Sequence, residues 1–239
     1  PFIDMFKSYY DLPMVMTNDA NAAAIGEKVF GGAKDMNDFI VVTLGTGLGS
    51  GLVTRGKLIY GHDGLAGELG HTNVYPDGRE CNCGKRGCLE TYASASGIKR
   101  TVFKFLATNN VDTPLRSYTY ESLTAKKITE MALAGDPIAL EAYQYTSDLL
   151  GLKLADAAAV TSPEAIFLFG GLAKAGDILI NPTIKSFNDY LYPGYKGKIK
   201  IKLSELMDKN AAVLGASALV WSEIVHSEAI QVPQQARAI

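Results

Sequence analysis

All three cysteines of this 239-residue chain fall in the run Cys81-Asn-Cys83-Gly-Lys-Arg-Gly-Cys88, and His71 stands shortly before it. Three thiolates and one imidazole complete a tetrahedral zinc shell with no open position. A closed shell of that kind fixes a loop rather than carrying out chemistry. Residues 71–90 are therefore expected to form a zinc-pinned loop, with Glu68 and Glu90 held at fixed places beside it. A competing reading makes the cysteines small buried hydrophobes. Their neighbours Asn82, Gly84, Lys85, Arg86 and Gly87 are loop residues, which opposes it. A disulfide framework is opposed by the odd count and by the length of the chain. His62 and His226 are the other candidate imidazoles; His71 is chosen because it shares a glycine turn with Glu68.

The chain has length for one large domain or two small ones. Hydrophobic residues make up 47% and charged residues 20%, with a net charge of −2. That is the balance of a soluble globular protein. With no basic stripe, nucleic acid is not an expected partner of this segment. No apolar run reaches the roughly 18 residues of a membrane span, and no signal peptide is visible. Reduced, metal-binding cysteines fit a cytoplasmic setting. The chain opens on Pro1-Phe-Ile-Asp without an initiator Met, which is expected of a trimmed or partial chain.

Apolar spacing predicts a helix over Phe2 to Tyr10 and a short buried strand over Pro13 to Thr17. A helix follows from Ala20 to Phe30. Phe39 to Leu44 is a β-branched run bounded by turn residues, hence a strand. Gly45 to Gly51 reads as a glycine-rich turn. Gly51 to Thr54 and Lys57 to Tyr60 read as a hairpin around Arg55-Gly56. Helices are predicted from about Tyr92 to Leu106, Leu123 to Ala134, Pro137 to Ala159 (long and amphipathic), Asn181 to Tyr190 and Ala211 to Val225. Strands are predicted over Glu164 to Phe169 and Lys198 to Leu203, and Gln231 to Ile239 is read as a frayed tail. Strands alternating with helices argue α/β, and the hairpin makes the sheet mixed.

Three features directly follow apolar strands: Asn18-Asp19, the Gly45–Gly51 turn and Gly170-Gly171. In open α/β sheets, ligands bind outside the carboxyl ends of strands. Glycines allow a close approach of backbone N–H groups to a phosphate, and Thr46 and Ser50 add hydroxyls. The turn is neither a Walker A loop nor a dinucleotide fingerprint, since a strand follows it. A plain hairpin turn is the competing reading. Asp19 can simply cap the helix behind it, or it can take the proton of a substrate hydroxyl, as in phosphoryl-transfer enzymes. Glu68, His71 and Glu90 offer acceptors to vicinal sugar hydroxyls. They can equally be solvated or orient the metal ligands. Gly170-Gly171 can admit an adenosine or merely end a strand.

Taken together, Asn18-Asp19-Ala-Asn21-Ala, Gly45-Thr-Gly-Leu-Gly-Ser-Gly51, Gly67-Glu68-Leu-Gly-His71, the run from Cys81 to Glu90 and Phe169-Gly-Gly171 resemble the ROK family of sugar kinases and sugar-responsive repressors. The pattern is most similar to the bacterial glucokinases of that family. The resemblance implies an actin-like, ribonuclease H-like ATPase fold. It makes Asp19 the base for the sugar 6-hydroxyl and Asn18, Asp19, Glu68, His71 and Glu90 sugar ligands. It assigns His71, Cys81, Cys83 and Cys88 to structural Zn2+. Gly45, Thr46, Gly47 and Gly49 belong to a phosphate loop and Gly170 and Gly171 to the adenosine side, with magnesium-ATP (ATP and Mg2+) as donor. It further implies a homodimer. On this basis residues 1–18 are the end of a small N-terminal domain. Residues 19–210 are a large α/β domain, and 211–239 a closing helix and tail. The family's opening Asp-x-Gly-Gly-Thr phosphate loop does not occur here, so the chain alone is expected to be impaired in turnover. The rival expectation is a sugar-sensing repressor with an upstream DNA-binding segment. A kinase for N-acetylglucosamine, N-acetylmannosamine or fructose is a third.

Overall fold

The computed structural model describes residues 2–10 and 12–230, with side chains described to residue 221. The elements run α1 (Phe2–Lys7), α2 (Asp19–Phe30), β1 (Phe39–Leu44), β2 (Leu48–Thr54), β3 (Lys57–Leu58), α3 (Ala95–Thr108), α4 (Ala125–Leu133), α5 (Pro137–Thr161), β4 (Ala165–Phe169), α6 (Asp177–Tyr190), β5 (Lys200–Leu203) and α7 (Ala211–Ile230). The strands form one sheet in the order β3-β2-β1-β4-β5. β1 pairs antiparallel with β2 and parallel with β4, and β4 pairs parallel with β5. The sheet is mixed, as expected.

Both faces of the sheet are covered, and the alternation along β1 shows how. Ile40, Val42 and Leu44 join a core with Ile166 and Leu168 of β4, Leu150 and Leu154 of α5, and Phe187 of α6. Phe39 and Val41 join a second core with Phe167, with Ala23 and Ala24 of α2, and with Ala211 of α7. Phe39 and Phe167 meet edge to face at 6.1 Å, the geometry aromatic quadrupoles prefer. Fully burying each such side chain contributes about 1.5–3 kcal/mol. The alanines of α2 have a geometric reason. A Cβ on Gly51 of β2 would lie 2.6 Å from Ala24 Cβ and 2.7 Å from the Ala20 carbonyl oxygen. Only small residues allow the helix to press this close, and the packing fixes its first residue, Asp19, over the end of β1.

Several sequence expectations need correction. Pro13–Thr17 is not a buried strand: the segment is unpaired among the described residues and Met16 is 66% exposed. An apolar run becomes a strand only where a sheet edge offers it a ladder, and the edges here are β3 and β5. The glycine-rich turn closes at Gly47, and Leu48–Thr54 is already strand, with Val42 opposite Ser50 and Val41 opposite Gly51. The ladder with β1 overrides the turn tendency of the glycines. α3 starts at Ala95, where the Ser94 hydroxyl caps the Gly97 N–H, and not at Tyr92. α6 begins at Asp177 and carries Pro182 inside it. The segment 231–239 lies outside the described residues. No described helix is long and apolar enough to cross a membrane.

Candidate active site

A cleft of about 480 Å³ opens at the carboxyl ends of β1 and β4. This is where neighbouring connections leave the sheet in different directions, the usual ligand position in open α/β folds. Its lining contains Asn18, Asp19, Gly45, Thr46, Gly47, Gly49, Glu68, His71, Glu90 and Gly170. Segments far apart in sequence are thus brought to one place. Gly171 is the exception among the candidates: it precedes the short helical turn Leu172–Ala175 and stands just outside the lining.

At the first wall, α2 begins. Its capping residue is Asn18, whose side-chain oxygen accepts the Asn21 N–H at 2.7 Å. The capping alternative raised for Asp19 is therefore filled by its neighbour. Asp19 is exposed on the cleft and has no hydrogen-bond or ion-pair partner among the described residues.

The second wall is the cysteine loop. His71 Nδ1, Cys81 Sγ, Cys83 Sγ and Cys88 Sγ all lie within 4.8 Å of one another. Cys83 Sγ and Cys88 Sγ are 3.7 Å apart, and Cys81 Sγ is 3.6 Å from His71 Nδ1. A tetrahedron with Zn–S bonds of 2.3 Å has edges of about 3.8 Å. The residues therefore fit a closed zinc site. Burial pushes the Cys88 thiol up to about 12 and raises that of Cys81. The Lys85 N–H lowers that of Cys83. Zinc takes cysteine as thiolate, so its binding here would release the thiol protons. His62 is exposed and outside the group.

The loop is braced by residues the sequence did not single out. Half-buried Arg79 donates to the carbonyls of Thr91 (2.7 Å) and Gly97 (3.0 Å) and to Thr101 Oγ1 (2.9 Å). Its guanidinium lies 4.3 Å over the Tyr92 ring. Nothing in a lone arginine between loop residues signals such a brace. Glu27, equally unforeseen, is 1% exposed. Its carboxylate accepts from Gly32 N, Ser204 Oγ and Glu205 N, tying the end of α2 to the segment before α7.

His71 faces both ways. Nδ1 points to the cysteines, while Nε2 is 3.9 Å from Glu68 Oε2 on the cleft side. Glu90 also has two duties: Oε2 accepts the Leu48 N–H at 3.0 Å, and Oε1 is 3.7 Å from Cys81 Sγ. A Cβ on Gly47 would lie 2.2 Å from Glu90 Oε2, so a larger residue there would push the carboxylate off the Leu48 N–H. Ser50 does not offer its hydroxyl to a phosphate as the sequence suggested. It is buried, donates to the Gly67 carbonyl and accepts from Leu69 N.

The groups gathered here are a carboxylate unpartnered among the described residues, further acceptors at Glu68, His71 and Glu90, and a glycine turn on one cleft. The family model described as the ROK family matches residues 1–223. The chain belongs to the ROK family. Among its relatives, the glucokinase of Halalkalibacterium halodurans is 37% identical over 222 residues, covering 92% of this chain and 67% of that protein. The crystal structure of a ROK family glucokinase from Streptomyces griseus in complex with glucose and AMPPNP superposes with a TM-score of 0.81 at 34% identity, covering 92% and 72% of the two chains. The xylose repressor of Caldicellulosiruptor bescii is 28% identical, covering 94% of this chain and 56% of the repressor. Membership in this family, with the sheet order and core described above, places the chain in the actin-like ATPase fold.

Proposed function

We propose that the chain belongs to an ATP-dependent sugar kinase that phosphorylates the 6-hydroxyl of glucose or a related hexose. The observation that carries this reading is Asp19: a carboxylate on the cleft, relieved of capping by Asn18 and without a partner among the described residues. In this reading Asn18, Glu68, His71 and Glu90 hold the sugar so that its 6-hydroxyl meets Asp19. As the O6–phosphorus bond forms, Asp19 accepts the hydroxyl proton, the bond between the γ-phosphorus and its bridging oxygen breaks, and ADP leaves. Positioning and charge stabilisation supply most of the rate in such transfers. Gly45, Thr46, Gly47 and Gly49 receive phosphate and Gly170 and Gly171 the adenosine side. Mg2+, when bound with ATP, neutralises phosphate charge.

Zn2+ is the proposed occupant of the His71, Cys81, Cys83 and Cys88 cluster, with a structural role. His71 joins the two sites, since a metal on Nδ1 fixes the direction in which Nε2 meets the sugar. Residues 19–210 form the catalytic domain in this proposal. A cytoplasmic homodimer acting on small molecules, without nucleic acid at this segment, completes it. Support comes from a glucose- and AMPPNP-bound relative of the same fold and from closer identity to a glucokinase than to a repressor.

The test is ADP release by the full-length protein from magnesium-ATP over a panel of glucose, fructose, N-acetylglucosamine and N-acetylmannosamine. Glucose-dependent release supports the proposal, and preference for another sugar renames the substrate. No release with any sugar, from zinc-loaded protein that binds sugar, would replace the kinase by the sugar-sensing repressor.

A further inference from the structure

The turn between β1 and β2 is gripped along its whole length by the seven residues that leave the cysteine loop. Ala95 N donates to the Gly45 carbonyl at 2.9 Å. Ser96 Oγ donates to the Thr46 carbonyl at 2.8 Å. Glu90 Oε2 accepts from Leu48 N, and the Ser94 hydroxyl in turn donates to the Glu90 carbonyl at 2.7 Å. Gly45 N closes the turn on the Gly47 carbonyl at 3.0 Å. Counting backbone groups over Gly45–Gly47, all three carbonyls and the Gly45 N–H have partners. Two groups are left over among the described residues: the N–H of Thr46 and the N–H of Gly47.

Their direction follows from peptide geometry. A trans peptide is planar, so its C=O and N–H point opposite ways. The Gly45 carbonyl shares its plane with the Thr46 N–H, and the Thr46 carbonyl shares its plane with the Gly47 N–H. Anchoring both carbonyls on the first turn of α3 turns both N–H groups away from α3. Two adjacent backbone N–H groups held in this way make a small anion cradle.

We infer that Ser96 is a positioning residue for nucleotide phosphate: by holding the Thr46 carbonyl it aims the Gly47 N–H, beside the Thr46 N–H set by Ala95, at the phosphate. The inference rests on the reading of Gly45–Gly47 as the phosphate turn. Ser96 is exposed and belongs neither to the cysteine cluster nor to the cleft lining. Its effect is therefore separable from sugar binding and from the metal. Glu90 fixes the far end of the same turn, but its place beside the sugar site makes it a poorer probe.

The experiment compares the full-length protein with its Ser96→Ala and Ser96→Thr variants. Binding of magnesium-AMPPNP and of glucose is followed by calorimetry, and hydrogen exchange is followed over residues 45–48. Ser96→Ala is expected to weaken magnesium-AMPPNP binding about fivefold, the scale of one exposed hydrogen bond. It should speed exchange at Thr46 and Gly47 and leave glucose binding unchanged. Ser96→Thr keeps the hydroxyl and should restore both nucleotide properties. Unchanged nucleotide binding and exchange in Ser96→Ala overturn the inference. Faster exchange with unchanged nucleotide binding also overturns it, because the clamp would then aim at nothing the nucleotide uses. If the unaltered full-length protein binds no magnesium-AMPPNP, the functional reading itself fails and the inference falls with it.

Discussion

The two walls of the cleft are built in opposite ways. On the cysteine-loop wall several polar groups are tied to one another. Arg79 makes three hydrogen bonds, Glu90 holds Leu48, Ser50 holds Gly67, and the four ligand atoms face one another. On the α2 wall, one side chain is tied and the next is free. Asn18 caps the helix and Asp19 has no partner among the described residues. The difference separates groups that hold a shape from a group that must change its protonation during a reaction. A carboxylate committed to backbone N–H groups would be a poor proton acceptor, because those bonds favour its charged form. The tied wall supplies the geometry and the free carboxylate supplies the chemistry.

Substitutions on the two walls sharpen the contrast. The largest structural effect is expected from Cys83→Ser, which removes a ligand from a closed shell. Zinc affinity should fall by more than about a hundredfold, and exchange across residues 71–90 should become fast. Zinc content measured on the purified variant checks this, and an unchanged content would remove Cys83 from the ligand set. Next comes Arg79→Ala, which strips the loop's brace and leaves the Thr91 carbonyl without a partner among the described residues, while Gly97 keeps the Thr101 hydroxyl. A loss of about 3 kcal/mol in chemical denaturation is expected, with zinc content retained. A loss below about 0.5 kcal/mol would show that the loop needs no brace beyond its metal. The smallest effect is expected on the other wall. Asn18→Ala should cost about 1 kcal/mol, the usual value of a lost cap. A cost near zero would mean that Asp19 takes over the cap when its neighbour is removed, which would weaken the distinction drawn between them.

How much of this was legible in the sequence differs by region for physical reasons. The β1 run Phe39–Leu44 and the β4 run Ala165–Phe169 are read directly, because strands buried on both faces are apolar throughout. The cysteine cluster is equally readable, since its ligands are local in sequence. Pro13–Thr17 misleads because strand pairing is a property of the sheet and not of the segment. The end of the glycine turn misleads because glycines at 49 and 51 are there for α2 to approach β2, a tertiary reason that looks like a turn signal. The cleft candidates were reachable because each follows an apolar run or lies near a metal ligand. Arg79 and Glu27 were not, because their partners at Thr101 and at Ser204 and Glu205 are distant in sequence and chemically unremarked.

The central claim is that the untied carboxylate at residue 19 is the group that reacts. The most direct test measures glucose-dependent ADP release and glucose affinity side by side for the full-length protein and its Asp19→Asn variant. The account predicts that release falls by roughly a factor of 10²–10⁴, the scale of lost general-base catalysis, while glucose binding remains measurable and zinc content is unchanged. Release retained within a few fold in Asp19→Asn, at equal glucose affinity, would contradict it.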